Sequence, residues 1–241
     1  MRGSPFRRAL RRRASGVHLP VWPGTNGELY VGPGAPGDEP APGRTLRRAV
    51  LEPLLRRIAA NGGHVYADRP DPFDLLVELP GDAAEPANAA RAFRLLDAAL
   101  RDYAAILTRR TAAGVAAGAV TVTITGALSP RHLLAAQPDR YAFADGTFDD
   151  LGCWSAPADL VPMVSEHWSW RFGWDGLDPI SPEERHMLHG LVREAHAEGR
   201  RVRFFGIPRR PRRACAAFRA ELVRAGVDVL EAPGNAVVNT K

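Results

Sequence analysis

The apolar positions between residues 181 and 208 change period partway along. Met187, Leu188, Leu191, Val192 and Ala195 recur at the three-and-four spacing of a helix with one inward stripe. Its start and stop signals are in place: Ser181 at the cap, Pro182 at the first helical residue, Glu184 where a capping box puts a carboxylate, and Gly199 at the end. From Val202 the period becomes two. Val202, Phe204 and Gly206 fall on one side of a short strand, Arg203 and Phe205 on the other. The unit then repeats. A helix over 211–224 carries Ala214, Cys215, Phe218, Leu222 and Val223 on its apolar face, Gly226 stops it, and 227–230 forms the next strand. Helix, strand, helix, strand with short links predicts parallel strands crossed by helices. Such strands are covered on both faces, so an arginine inside one is out of pattern. Two readings of Arg203 stay open: it reaches the ligand mouth of a closed barrel, or it is a buried arginine paired with an acid for structure alone.

Upstream, the pattern alternates in the same way. A short helix over 5–14 turns Phe6, Ala9 and Leu10 inward. Candidate strands over 15–22, damaged by Pro20, and 27–31 flank a turn, and glycine and proline make 32–43 an irregular loop. A helix over 46–60 buries Val50, Leu54, Leu55 and Ile58 and ends at Asn61-Gly-Gly63. In the strand 73–79, Val77 and Leu79 face the helices, which sends Glu78 to the inside. A helix over 84–107 follows. The strand 120–125 sends Thr121, Thr123 and Thr125 inward. The strand 141–145 ends on Asp145, and 161–167 ends on His167, ahead of Trp168, Trp170, Phe172 and Trp174. These elements predict an α/β fold: a TIM-type (β/α)8 barrel lacking its first strand, as a single domain over residues 1–241. The missing strand would lie before Met1. Its absence would leave the edges of the second and last strands open unless another segment or subunit fills the gap.

Composition changes this picture little. Of 241 residues 45% are hydrophobic, enough for a core, and the formal charge is +5. The basic residues are almost all arginine, the only lysine being Lys241, and Ala, Gly and Pro abound. That bias, as of GC-rich coding, weakens the case for a nucleic-acid partner, and the arginines at 7, 8, 11, 12 and 13 are taken as a solvated helix face. Cys153 and Cys215 fit no metal spacing. No apolar run approaches a membrane span, and the arginine-rich start lacks the apolar core of a signal peptide. As written, the chain is expected in the cytoplasm; a start upstream would reopen secretion or membrane association.

Several segments carry a resemblance: Gly27-Glu-Leu-Tyr-Val31, Pro42-Gly-Arg-Thr-Leu46, Asn61-Gly-Gly63, Thr123-Ile-Thr-Gly126, Asp145-Gly146, Phe172-Gly-Trp-Asp-Gly176 and Glu198-Gly-Arg-Arg-Val-Arg-Phe204. In order and spacing they resemble the altered-inheritance-of-mitochondria branch of the phosphatidylinositol-phospholipase-C-like and glycerophosphodiester-phosphodiesterase barrels. The resemblance spans nearly the whole chain and is most specific in the C-terminal third. It implies a TIM-type barrel that cleaves phosphodiesters, with two histidines as general base and acid and carboxylates holding Ca²⁺ or Mg²⁺. A phosphodiester is anionic, so a cation and positive side chains neutralise developing charge while a base activates the nucleophile.

The chain departs from that pattern at the strand ends. The His-x-His-Asn-Asp-Tyr segment of the first strand is absent, His18-Leu-Pro20 stands where the family has acids, and Gly32-Pro33-Gly34 stands where it has its second histidine. Arg209-Arg210 and Ala232-Pro-Gly234 replace the acids after the last two strands. A missed start would restore only the first of these losses. The expectation is a phosphoric diester hydrolase relic with weak or lost activity, no assignable catalytic residue and a divalent cation not retained. The alternative is a non-catalytic binder of a small phosphate-bearing anion through an arginine-rich mouth. Glu78 is the one surviving metal or phosphate ligand, or else a structural partner of Arg203; Asp145 ends its strand, or caps the next turn. His167 could stand in for a lost histidine, and Arg203 and Arg209 would hold phosphate. His18 occupies a carboxylate position, as a base, a ligand or a filler.

Overall fold

The computed structural model describes residues 4–32, 42–80, 86–126, 131–152, 156–207 and 211–240. The fold is α/β, and the chain divides into two compact units, Met1–Ala144 and Asp145–Lys241.

The first unit opens with α1 (Pro5–Arg11), capped by the Ser4 hydroxyl, with Phe6 and Ala9 buried. β1 (Gly16–Pro23) and β2 (Leu29–Val31) form an antiparallel pair. A π-helical turn over Arg47–Leu51 leads into α2 (Glu52–Ala60), and β3 (Phe73–Glu78) is followed by α3 (Pro86–Arg101). β4 (Arg109–Thr111) and β5 (Gly114–Ala116) make a separate antiparallel ribbon that the pattern did not foretell. β6 (Val120–Thr125), α4 (Arg131–Ala135) and β7 (Phe143–Gly146) complete the set. β1, β3 and β6 run parallel in that order, with Phe143 and Ala144 beside β6. Pro20 does not break β1. Its residue is the last to align with β3, Val21 is the first to align with β2, and the Pro20 carbonyl accepts from the Gly32 amide at 2.9 Å. The missing N–H thus falls where one partner gives way to the next. Near α1, the Tyr66 hydroxyl donates to the Ala14 carbonyl, and Arg13, Arg57 and Arg69 lie 4.9, 5.1 and 4.4 Å from its ring centre.

In the second unit Asp145 and Gly146 pair with β8 (Met163–His167), which leads directly into α5 (Trp168–Arg171). α6 (Pro182–Ala197), β9 (Arg201–Phe205), α7 (Arg212–Ala225) and β10 (Val229–Ala232) follow as expected, and Ser181 accepts the Glu184 amide at the start of α6. β8, β9 and β10 are parallel. β11 (Ala236–Asn239) then pairs antiparallel with β10, so the edge of the last parallel strand, expected to be open, is covered. The outward side chains Val164, Val202, Phe204 and Leu230 pack against Leu188 and Val192 of α6 and Phe218 and Leu222 of α7. Trp168 joins this core, stacked 4.2 Å from Phe172 and edge-on to Phe204 and Phe218. The aromatic segment after β8 is therefore mostly core, with Trp170 the exception at 69% exposed. Three residues expected inward, Leu55, Met187 and Val223, are exposed: each lies at the margin of its helical stripe, where the curve of the helix carries it to solvent. Among the described residues no helix is long and apolar enough to cross a membrane.

Candidate functional site

Each unit gathers polar side chains on one alternating face of its parallel strands. In the first, the registers His18↔Leu76, Pro20↔Glu78 and Glu78↔Thr125 put His18, Glu78 and Thr125 on the same face near the strands' C-terminal ends. His18 Nε2 lies 3.3 Å from Glu78 Oε2 and 3.3 Å from Thr125 Oγ1. Glu78 shares a face with His18 and Thr125, and its neighbour is the histidine. The hydroxyl of Thr125, one of the three inward threonines, completes the group. This cluster is partly wet: the side chains of His18 and Glu78 are 18% and 46% exposed.

In the second unit Arg203 is buried on β9, its side chain 3% exposed. The register Ser165↔Arg203 and the step Arg203↔Val229 place Ser165, Arg203 and Glu231 on one face, together with Asp145. Asp145 Oδ2 stands 3.8 Å from Arg203 Nη1, and Glu231 Oε1 stands 3.6 Å from Nη2. Both separations are ion-pair distances beyond hydrogen-bond reach. Arg203 Nε is buried and meets no acceptor among the described residues. The guanidinium lies 4.9 Å from the centre of the Phe205 ring. Ser165 Oγ donates to Asp145 Oδ1 at 2.8 Å and fixes that carboxylate. The next turn has a reciprocal box of Thr147 and Asp150, the Thr147 amide donating to Asp150 Oδ2 at 2.7 Å.

His167 closes β8 on the same face. Its ring lies 5.4 Å from Phe205 and 5.5 Å from the exposed Trp170, and Nδ1 is 2.9 Å from Ser169 Oγ. Gly206 makes room for it: at φ +70° the backbone is left-handed, and a Cβ there would overlap the His167 imidazole. On the opposite face Glu166 is buried and held by Arg171 at 2.7 Å. Arg171 also reaches Asp149, and hydrogen bonds to Asp149 and then Glu166 raise its pKa above the ordinary guanidinium value.

Of the residues expected at a site, Asp145, Arg203 and His167 thus gather in the second unit, and Glu78 pairs with His18 in the first. Arg209 lies outside the described residues. Glu231 and Ser165 are additions. Glu231 was hidden because the last parallel strand was expected to end at Leu230, whereas β10 runs on to Ala232. Among the described residues no three His, Cys, Asp or Glu side chains converge as a metal site. The His18–Glu78 pair supplies two donors, which does not fit the oxygen-rich cage of a Ca²⁺ or Mg²⁺ ion. Comparison with models of known protein families finds no match, and comparison with curated proteins finds none either.

Proposed function

We propose that this chain is a phosphodiesterase-like barrel of TIM type that binds a small, hydroxyl-bearing phosphate ester and hydrolyses it weakly or not at all. The observation that carries the binding is Arg203. Its charge is permanent and its side chain is buried, yet neither flanking carboxylate is within hydrogen-bond reach and its Nε meets no acceptor among the described residues. A buried donor without an acceptor is costly, and an oxygen of a ligand would satisfy it. Two carboxylates against one guanidinium give the cluster a net charge of −1, so only Arg203 answers a ligand's negative charge. A singly charged phosphodiester suits that balance better than a dianion, with its hydroxyls donating to Asp145 and Glu231. The reading of lost hydrolysis rests on the strand ends of the resemblance, where His18, Pro20 and Gly32 stand in place of its acids and histidine.

Titration calorimetry with glycerophosphocholine tests the binding. The wild-type chain is expected to bind it, and Arg203→Lys, which keeps the charge but loses the planar fork, to weaken binding about tenfold or more while the fold holds. Absence of saturable binding overturns the proposal. A second reading, residual hydrolysis, is favoured by the His18–Glu78 pair, since an imidazole beside a carboxylate is how a general base is set up. Turnover of glycerophosphocholine that disappears in Glu78→Ala would establish it in place of the non-hydrolytic reading.

A further inference from the structure

The second unit has an open surface pocket of about 440 Å³ away from the strand face that carries Arg203, between the helices α6 and α7 and the segment after Trp174. That volume is in the range of small-molecule pockets. Glu221 of α7 lies in its wall, its side chain 4% exposed. It accepts two bonds from Arg185 of α6, at 2.8 and 3.2 Å, and another from Arg224. A buried carboxylate needs such partners, and here they fix two guanidinium groups in the cavity lining. Arg185 spends Nε and Nη2 on Glu221, which leaves Nη1 as a donor, and the side chains of Arg185 and Arg224 stay 44% and 60% exposed. Arg213, in the same lining, makes no hydrogen bond or ion pair with any described residue. Three guanidinium groups thus stand against the carboxylates of Asp178 and Glu221, a surplus of one positive charge.

The rest of the lining is apolar and fixed. The Trp174 ring packs 4.6 Å from Phe218, and its Nε1 donates to the Asp178 carbonyl at 2.6 Å. Leu177, 44% exposed, and the buried Ile180 continue the surface. We infer that this cavity binds a small organic anion with a flat apolar body, of the aromatic carboxylate class, its carboxylate on Arg213 and Arg224 and its ring against Trp174 and Leu177. The site is separate from the Arg203 cluster, so either can stand without the other.

Calorimetry with 2-naphthoate and its uncharged counterpart 2-naphthylmethanol tests it. The wild-type chain is expected to bind the carboxylate saturably, one per chain and about tenfold tighter than the alcohol, the size of one charge-assisted hydrogen bond. Arg213→Glu should erase that preference; the residue is exposed and touches no described partner, so the fold is retained, as a thermal melt would verify. Ala217→Phe, which fills the cavity, should abolish binding of both probes. If Ala217→Phe fails to fold, Arg213→Glu decides alone. No saturable binding, equal affinity for the two probes, or binding indifferent to Arg213→Glu overturns the inference.

Discussion

The two polar clusters sit at equivalent places, on one alternating face of parallel strands, and they manage charge differently. His18 and Glu78 are partly exposed, and the His18 ring stands within hydrogen-bond range of both Glu78 and the buried Thr125. Arg203 cannot give up its charge, and it is buried between two acids that stand too far off to bond it. The first group is open to solvent, most of all at Glu78. The second is committed: its parts hold one another electrostatically, and an unmet donor remains. A permanent charge kept inside without full hydrogen bonding is a poor device for stability, which is why the second cluster is the better candidate for a ligand.

That contrast can be broken by substitution. Arg203→Met should have the largest effect, since it removes the buried charge that faces Asp145 and Glu231. A loss of about 3–5 kcal/mol is expected in urea denaturation, and a loss below about 1 kcal/mol would mean the cluster is wetter than described. Gly206→Ala comes next, at about 2–4 kcal/mol, from left-handed strain plus overlap with the His167 ring. The double variant with His167→Ala should recover the overlap and leave about 1–2 kcal/mol of backbone strain. Smallest is Glu78→Gln, below about 1 kcal/mol, because its side chain is nearly half exposed. If Glu78→Gln cost as much as Arg203→Met, the distinction between the two clusters would collapse.

Much of this was legible in the chain. The period change at 199–202 located α6 and β9, and strict alternation put Arg203 in the interior and Glu78 on a common face with Thr123 and Thr125. Pairing was harder to read. His18 and Glu78 were each visible as candidates, but their contact depends on β1 lying beside β3, a long-range fact that local pattern does not carry. Arg203 was open to two readings, at a ligand mouth or paired with an acid, and Glu231 escaped because apolar periodicity fades at strand ends, where functional polar residues sit. β11 escaped although its signal was present. The loop between Ala232 and Ala236 has three residues, and Gly234 and Asn235 in it adopt positive φ, at 81° and 63°, a conformation that glycine and asparagine tolerate best. Arg209 and Arg210, expected at the mouth, fall outside the described residues.

The ring of Tyr66 has a consequence for a chain so rich in arginine. Such a surface offers trypsin many cleavage points, but Arg13, Arg57 and Arg69 are gathered on one phenol whose hydroxyl is tied to Ala14. A protease must draw each of these side chains into its own specificity pocket, which requires the clasp to open first. Pro70 already blocks cleavage after Arg69, but the bonds after Arg13 and Arg57 should become susceptible together, at the rate or population of a single local opening, while arginines elsewhere on the surface are cut independently.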